Sequence, residues 1–259
     1  STVQKLVNEF DKISGEICTV GIGIPGFSSK DTGLVTNANS LWLNDKPFKK
    51  DLESALNRDV KLMNDANCFT LSEAIDGAGK DFKSVFGIII GTGFGGGLSY
   101  KKEIIEGANQ IAGDWGHQPL PYPTTEEIET QISCPSNNCG RALCAEQFMS
   151  GIGFADIFNK KNNTNFNSHE IVELDLKNDP RANLEFNLYE DRMARLMAVM
   201  IGVFDPDAII LGGGMSNIDR LYKNIPPLLS KYTFSNKVKT KILKNIHGDS
   251  SGVRGAAWL

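Results

Sequence analysis

His117, Cys134, Cys139 and Cys144 place four metal-ligating side chains in one short stretch, the cysteines in Cys-x4-Cys-x4-Cys spacing. Three thiolates and a neutral imidazole make up the donor set of a closed tetrahedral zinc site. The spacing is not that of a zinc finger, so three ordinary thiols and a surface histidine remain the alternative. Against that alternative stands the run Pro135, Ser136, Asn137, Asn138 and Gly140, which has almost no apolar surface with which to order itself. A carboxylate lies near each end of the segment, Asp114 and Glu146. A metal-ordered loop flanked in this way predicts a polar ligand, a sugar more than a protein partner.

Asn64-Asp65 stands where the apolar run Val60-Lys-Leu-Met63 passes into a helical pattern. Asp65 can serve as a helix N-cap. It can equally be a carboxylate at the carboxyl edge of a sheet, where open α/β folds bind ligands. Gly91-Thr92-Gly93-Phe-Gly-Gly matches a bare dinucleotide pattern, but a strand-like segment follows it instead of a helix. A hairpin turn fits better, with backbone N–H groups that can approach a phosphate closely. Gly212-Gly213-Gly214 lies between a strand and a helix, leaving room and amide donors for a nucleotide. Each loop can also be a tight turn with no ligand.

Elements to position these residues are legible. Val3 to Ile13 has helical spacing, Cys18 to Ile24 is a strand ended by Pro25-Gly26, and Ser84 to Ile90 is a β-rich run. Helices are predicted over 68–75, 145–158, 171–176 and 181–203, the last stopped by Asp205-Pro206, with a strand at Ala208–Leu211. A helix through Asp219–Tyr222 and a small-residue helix over Gly252–Leu259 close the chain. Strands alternating with helices predict an α/β protein with a mixed or parallel sheet. Trp42 reads as a core residue and Trp115 as a wall of the sugar site; Cys18 and Cys68 read as buried thiols.

The chain has 259 residues, 41% apolar, with 27 basic and 31 acidic residues well mixed. This leaves no electrostatic footprint for nucleic acid or an anionic membrane. No apolar run reaches the roughly 20 residues of a membrane span, and no signal-peptide pattern opens the chain. Five cysteines, three of them clustered, fit a reducing cytoplasm better than a disulfide framework.

Together these residues resemble the ROK family (repressor, open reading frame, kinase) of sugar kinases, within the actin/hexokinase-like ATPases. The resemblance rests on Gly21-Ile-Gly-Ile-Pro-Gly26, Asn64-Asp-Ala-Asn67, Gly91-Thr-Gly93, Ala112-Gly-Asp-Trp-Gly-His117, Cys139-Gly-x3-Cys144-x-Glu146-x3-Ser-Gly151, Gly212-Gly-Gly214 and His247-Gly-Asp-Ser-Ser-Gly-Val-Arg-Gly-Ala-Ala257. Asn37-Ala-Asn39 and the segment from Gly107 to Pro121 look most like bacterial fructokinases, with N-acetylglucosamine kinases close behind. The implied fold is α/β, a two-domain actin/hexokinase-like (ribonuclease H-like) ATPase fold with its N-terminal portion missing. Residues 1–82 and 247–259 would form the small domain and 83–246 the large one.

The resemblance implies Asp65 as general base and Asn64, Asp65, Asp114, His117 and Glu146 as sugar ligands. It implies Gly91, Thr92 and Gly93 as a phosphate loop, Gly212, Gly213 and Gly214 beside the adenosine, and structural zinc on His117, Cys134, Cys139 and Cys144. The expected activity is phosphorylation of a hexose, fructose or mannose first, at its terminal hydroxyl by ATP with Mg²⁺. The alternatives are an N-acetylglucosamine kinase and a sugar-responsive regulator. A cytoplasmic homodimer is expected, with neither nucleic acid nor membrane as partner. The chain departs from the family at three points: Asp114 where Glu is usual, Cys134 five residues ahead of Cys139, and an Asp-x-Gly-Gly-Thr loop that would precede Ser1, itself placed in the following helix.

Overall fold

The computed structural model describes residues 2–130, 134 and 139–259. Ser1 and the turn-rich run Pro135 to Asn138 lie outside the described residues.

Helix α1 (Thr2–Ser14) leads into β1 (Val20–Ile24), the hairpin β2 (Phe27–Ser28) and β3 (Val35–Thr36), α2 (Phe48–Leu56), β4 (Val60–Asn64) and α3 (Asp65–Ile75). Then come β5 (Ser84–Ile90), β6 (Phe94–Tyr100), β7 (Glu103–Ile104), α4 (Thr125–Glu129), α5 (Ala145–Met149), α6 (Gly151–Asn162), α7 (Ser168–Leu176) and α8 (Pro180–Phe204). The chain closes with β8 (Ala208–Gly212), α9 (Asp219–Tyr232), β9 (Lys241–Lys244) and α10 (Ser251–Ala257). Strands β1 and β4 pair in parallel, and a mixed sheet has the order β7-β6-β5-β8-β9.

Alternation along the mixed sheet sorts its two faces. Phe86, Ile88 and Ile90 of β5, with Ile209 and Leu211 of β8, face the main core under α5, α6, α8 and α9. Val85 and Ile210 face the other way, onto Phe69 and Ala74 of α3. Glycines let α3 approach closely: a Cβ at Gly87 would stand 2.2 Å from Thr70 Oγ1, at Gly97 2.6 Å from Asn67 Oδ1, and at Gly212 2.4 Å from the Phe69 ring. This contact carries the N-terminus of α3, and so Asp65, over the β5–β6 turn. On its other side α3 meets α10, where a Cβ at Gly255 would overlap Cys68 O at 1.7 Å. The fully buried Glu73 of α3 holds the chain between β9 and α10, accepting from Ile246 N, His247 N and Ser251 Oγ.

The sequence placed the principal elements, and the structure differs from that reading at several points. The predicted helix over 145–158 is two helices: Ser150, with extended backbone, ends α5 and caps α6 through a bond from Gly153 N. The glycines Gly95 to Gly97 lie inside β6, since pairing with β5 overrides their poor strand propensity. Helix α9 runs ten residues beyond Tyr222, through Pro226 and Pro227, and α2 and β9 carried too little pattern to be foreseen. Trp42 is 72% exposed and therefore not a core residue, and Cys18 is only half-buried. Helix α1 is amphipathic, but Leu6, Phe10 and Ile13 turn to a groove along β1.

Candidate active site

A cavity of about 240 Å³ opens where the N-terminus of α3 faces the β5–β6 turn. Asn64, Asp65, Asp114, His117 and Glu146 all line it, as do Gly91, Thr92 and Gly93. All five predicted sugar ligands and the glycine turn thus meet at one place.

Asn64, and not Asp65, is the N-cap of α3. Its Oδ1 accepts from Ala66 N at 2.9 Å and Asn67 N at 3.2 Å, while its Nδ2 donates to Gly26 O at 3.1 Å. Such a cap contributes about 0.5–2 kcal/mol, and the bond to Gly26 fixes the Pro25-Gly26 turn against the helix. Asp65 is thereby relieved of capping. Its carboxylate is exposed to the cleft but walled by protein on most sides. That burial raises its pKa, and the charge of Asp114 raises it further, against the lowering effect of the bond from Ala66 N. A carboxylate made more basic at the carboxyl end of a strand can take a proton from a hydroxyl.

Glu146 and His117 are brought in by a short antiparallel seam. Leu120 N bonds Leu143 O, Ala145 N bonds Gln118 O, and Glu146 N bonds Gly116 O, each at 2.7–2.8 Å. Gly116 is required there, because a Cβ would overlap Phe94 O at 1.8 Å. The Glu146 carboxylate is buried and accepts from Phe94 N at 3.1 Å through Oε2. Trp115 does not line the cavity: it is buried against Phe86 and Phe94, with ring centroids 4.8 and 5.0 Å away.

The seam also gathers the cysteines. The donor atoms of His117, Cys134, Cys139 and Cys144 all lie within 4.8 Å of one another. Cys144 Sγ is 3.4 Å from Cys134 Sγ and 3.5 Å from His117 Nδ1. Zinc–sulfur bonds of about 2.3 Å in a tetrahedron require sulfurs roughly 3.8 Å apart, so the donor set fits that metal. A metal on Nδ1 would leave the imidazole proton on Nε2, making His117 a donor.

A second cavity, about 940 Å³, lies between α6, α7 and the turn Gly214–Asn217. Gly91 and Thr92 line both cavities. A Cβ at Gly91 or Gly214 would meet nothing within 4 Å, so protein packing does not explain these glycines. Gly212 and Gly213 differ: neither lines this cavity, and each is crowded by Phe69 or the Ile90 backbone. Among the predicted nucleotide-loop residues, Gly214 alone of its triplet reaches the space.

Sequence reasoning did not assign three further cleft residues, Asn37, Asn39 and Gln110. Asn37 and Gln110 have φ of 56° and 57°, a conformation invisible in residue types.

The sequence relatives carry the same signal over the whole chain. An N-acetyl-D-glucosamine kinase of Vibrio cholerae serotype O1 is 37% identical over 258 residues, covering 100% of this chain and 85% of that protein. One from Haemophilus influenzae is 37% identical over 260 residues, covering 100% and 86%. The crystal structure of a ROK hexokinase from Thermus thermophilus superposes with a TM-score of 0.85 at 23% identity, covering 99% of this chain and 83% of that one, which shows the actin/hexokinase-like fold. Because the sequence profile of the ROK family matches residues 1–259 from end to end, the chain belongs to the ROK family.

Proposed function

We propose that this protein is an ATP-dependent sugar kinase acting on N-acetyl-D-glucosamine at its terminal hydroxyl. One observation carries the kinase reading: Gly91 and Thr92 form a wall common to both cavities. Phosphoryl transfer needs an acceptor and a donor to meet at one point, and the glycine turn is such a point. The sugar occupies the smaller cavity, with Asn64, Asp114, His117 and Glu146 on its hydroxyls. The magnesium–ATP complex occupies the larger one, with its phosphates toward Gly91–Gly93 and its nucleoside beside Gly214. Asp65 takes the proton as the hydroxyl oxygen forms its bond to the γ-phosphorus. The bond to the β-phosphate oxygen breaks and ADP leaves with that electron pair. The turn amides help to neutralise charge on the transferring group.

The sugar choice follows the relatives. Their shared name displaces fructose or mannose as the first expectation and favours the acetamido sugar. A substrate panel on the full-length gene product decides between them. N-acetyl-D-glucosamine is expected to show the highest kcat/KM, ahead of glucose, mannose and fructose. A uronic acid is expected to be rejected, since its charge would face Asp65, Asp114 and Glu146 and cost several kcal/mol. Preference for fructose would restore the first expectation, and binding of operator DNA without any turnover would favour a regulator.

We also propose that residues 1–82 with 247–259 form one lobe and 83–246 the other, in a cytoplasmic homodimer. Among the described residues no helix is long and apolar enough to cross a membrane.

Zinc on His117, Cys134, Cys139 and Cys144 would do no chemistry; it would tie the His117 segment to the cysteine loop and hold Asp114 and Glu146 in aim. Elemental analysis should find about one zinc per chain. Chelation should lower Tm, because metal-binding free energy is folding free energy. Metal-free protein with unchanged Tm and activity would refute the assignment.

A further inference from the structure

One side chain joins the two walls of the sugar cleft. Gln110 Oε1 accepts from Lys30 N at 2.9 Å, and Gln110 Nε2 donates to Ser28 O at 3.0 Å. Ser28 ends β2, the strand whose hairpin partner β3 runs directly into Asn37 and Asn39 on the near wall. Gln110 stands four residues ahead of Asp114 on the far wall. Both polar ends of one amide are therefore spent on backbone groups some 80 residues away in sequence. A Lys30–Glu106 ion pair runs along the same seam, but it is largely exposed and so contributes little.

The backbone at Gln110 makes the contact more telling. Its φ of 57° lies in the left-handed region, where a glycine would sit without strain and a glutamine is strained. Local turn geometry alone gives no reason for glutamine there. The paired bonds to Lys30 and Ser28 give one.

We propose that Gln110 is a positioning residue that clasps the sugar cleft shut, setting sugar affinity and excluding water as a competing phosphoryl acceptor. This rests on the kinase reading above. The clasp holds the segment leading to Asp114 against the hairpin leading to Asn37 and Asn39, so the sugar meets walls already in place. Preorganisation of this kind is expressed in binding more than in the chemical step. With the clasp open, water reaches the glycine turn more easily.

The test compares Gln110→Gly, which suits the backbone, with Gln110→Glu, which keeps the shape but cannot donate to Ser28 O. For both variants we expect sugar KM to rise roughly 3- to 30-fold, with kcat within about 2-fold and ATP KM unchanged, since a tenfold change needs about 1.4 kcal/mol of lost binding. ATP hydrolysis in the absence of sugar should rise. Hydrogen exchange of the Lys30 amide should be faster in Gln110→Gly, which removes its acceptor and whose Tm stays at or above that of the parent, whereas Gln110→Glu keeps an acceptor oxygen for that amide. A merely structural role would leave KM unchanged and lower Tm. Parent-like sugar KM in Gln110→Gly, or unchanged exchange at Lys30 in that same variant, overturns the clasp. The exchange experiment needs no turnover. A parent that phosphorylates no hexose would sink the kinase reading, while the Lys30 amide would still decide whether the clasp exists.

Discussion

Asp65→Asn should lower turnover by roughly 10²–10⁴-fold while sugar affinity changes little, because asparagine keeps the size and hydrogen bonding of the side chain but cannot take a proton. The structure makes this result unusually clean. Asn64 caps α3, so the substitution removes no cap. The Asp65 carboxyl is raised by burial and then by Asp114. A carboxyl raised in the folded state adds stability only while protonated; that contribution is lost as pH rises through the folded pKa, and the neutral-pH charge is a cost. Replacing it with neutral asparagine should leave Tm at pH 7 equal or higher. The parent's kcat/KM should fall as pH drops through this raised pKa, an acid limb that the Asp65→Asn profile lacks. Full activity in Asp65→Asn would remove Asp65 from the mechanism.

Arg192→Met should cost about 3–5 kcal/mol, since it strips the partner from buried charges. Arg192 is 2% exposed and bonds Glu127 Oε1 and Glu185 Oε1, each at 2.8 Å. Arg195 adds two bonds to Glu127 and two more to the carbonyls of Pro121 and Tyr122. Helix α8 in this way grips α4 and the Pro121-Tyr122 segment ahead of it. Burial alone would raise the Glu127 pKa, but bonds from Arg195, Thr124 N and Arg192 outweigh it and hold it at about 2. A depressed carboxyl stabilises the fold above its unfolded pKa and loses that contribution as pH falls toward the folded value. The parent should therefore lose stability progressively below about pH 4.5, and the variant should show a shallower acid dependence. At neutral pH the variant's Tm should fall by roughly 10 °C, given about 2–4 °C per kcal/mol for a chain of this size. A loss under 1 kcal/mol would show that these charges are solvated or repaired by their neighbours.

Much of this site could be read directly from residue types. Ser84–Ile90 and Val60–Met63 are short apolar runs bounded by polar or glycine residues, and both are strands at those positions. The long apolar periodicity before Asp205-Pro206 is α8, ended by Asp205 in the left-handed conformation. The family's motifs bring Asp65, Asp114, His117 and Glu146 into view because side chains with special chemistry recur in set order. Local pattern sufficed wherever the decisive interaction lies within a few residues along the chain.

Other features depend on neighbours distant in sequence. Gly95 to Gly97 join a strand because β5 offers the partners; a Cβ would run into Phe86 of β5 at Gly96 and into Asn67 and Thr70 of α3 at Gly97. Gly212 serves the Phe69 ring, whereas Gly91 and Gly214 open onto free space, a distinction that no glycine pattern contains. Asn64 wins the cap over Asp65 because its other amide end finds Gly26 across the β1–β4 edge. Gln110 becomes a clasp only when Ser28 and Lys30 come within reach. The sequence alone determined the chemical inventory, the family and the principal strands and helices, through local periodicity and reactive residue types. The tertiary structure decided which residue caps α3, which glycines open onto free space and which side chain spans the cleft, because contacts between segments far apart in the chain make each of those choices.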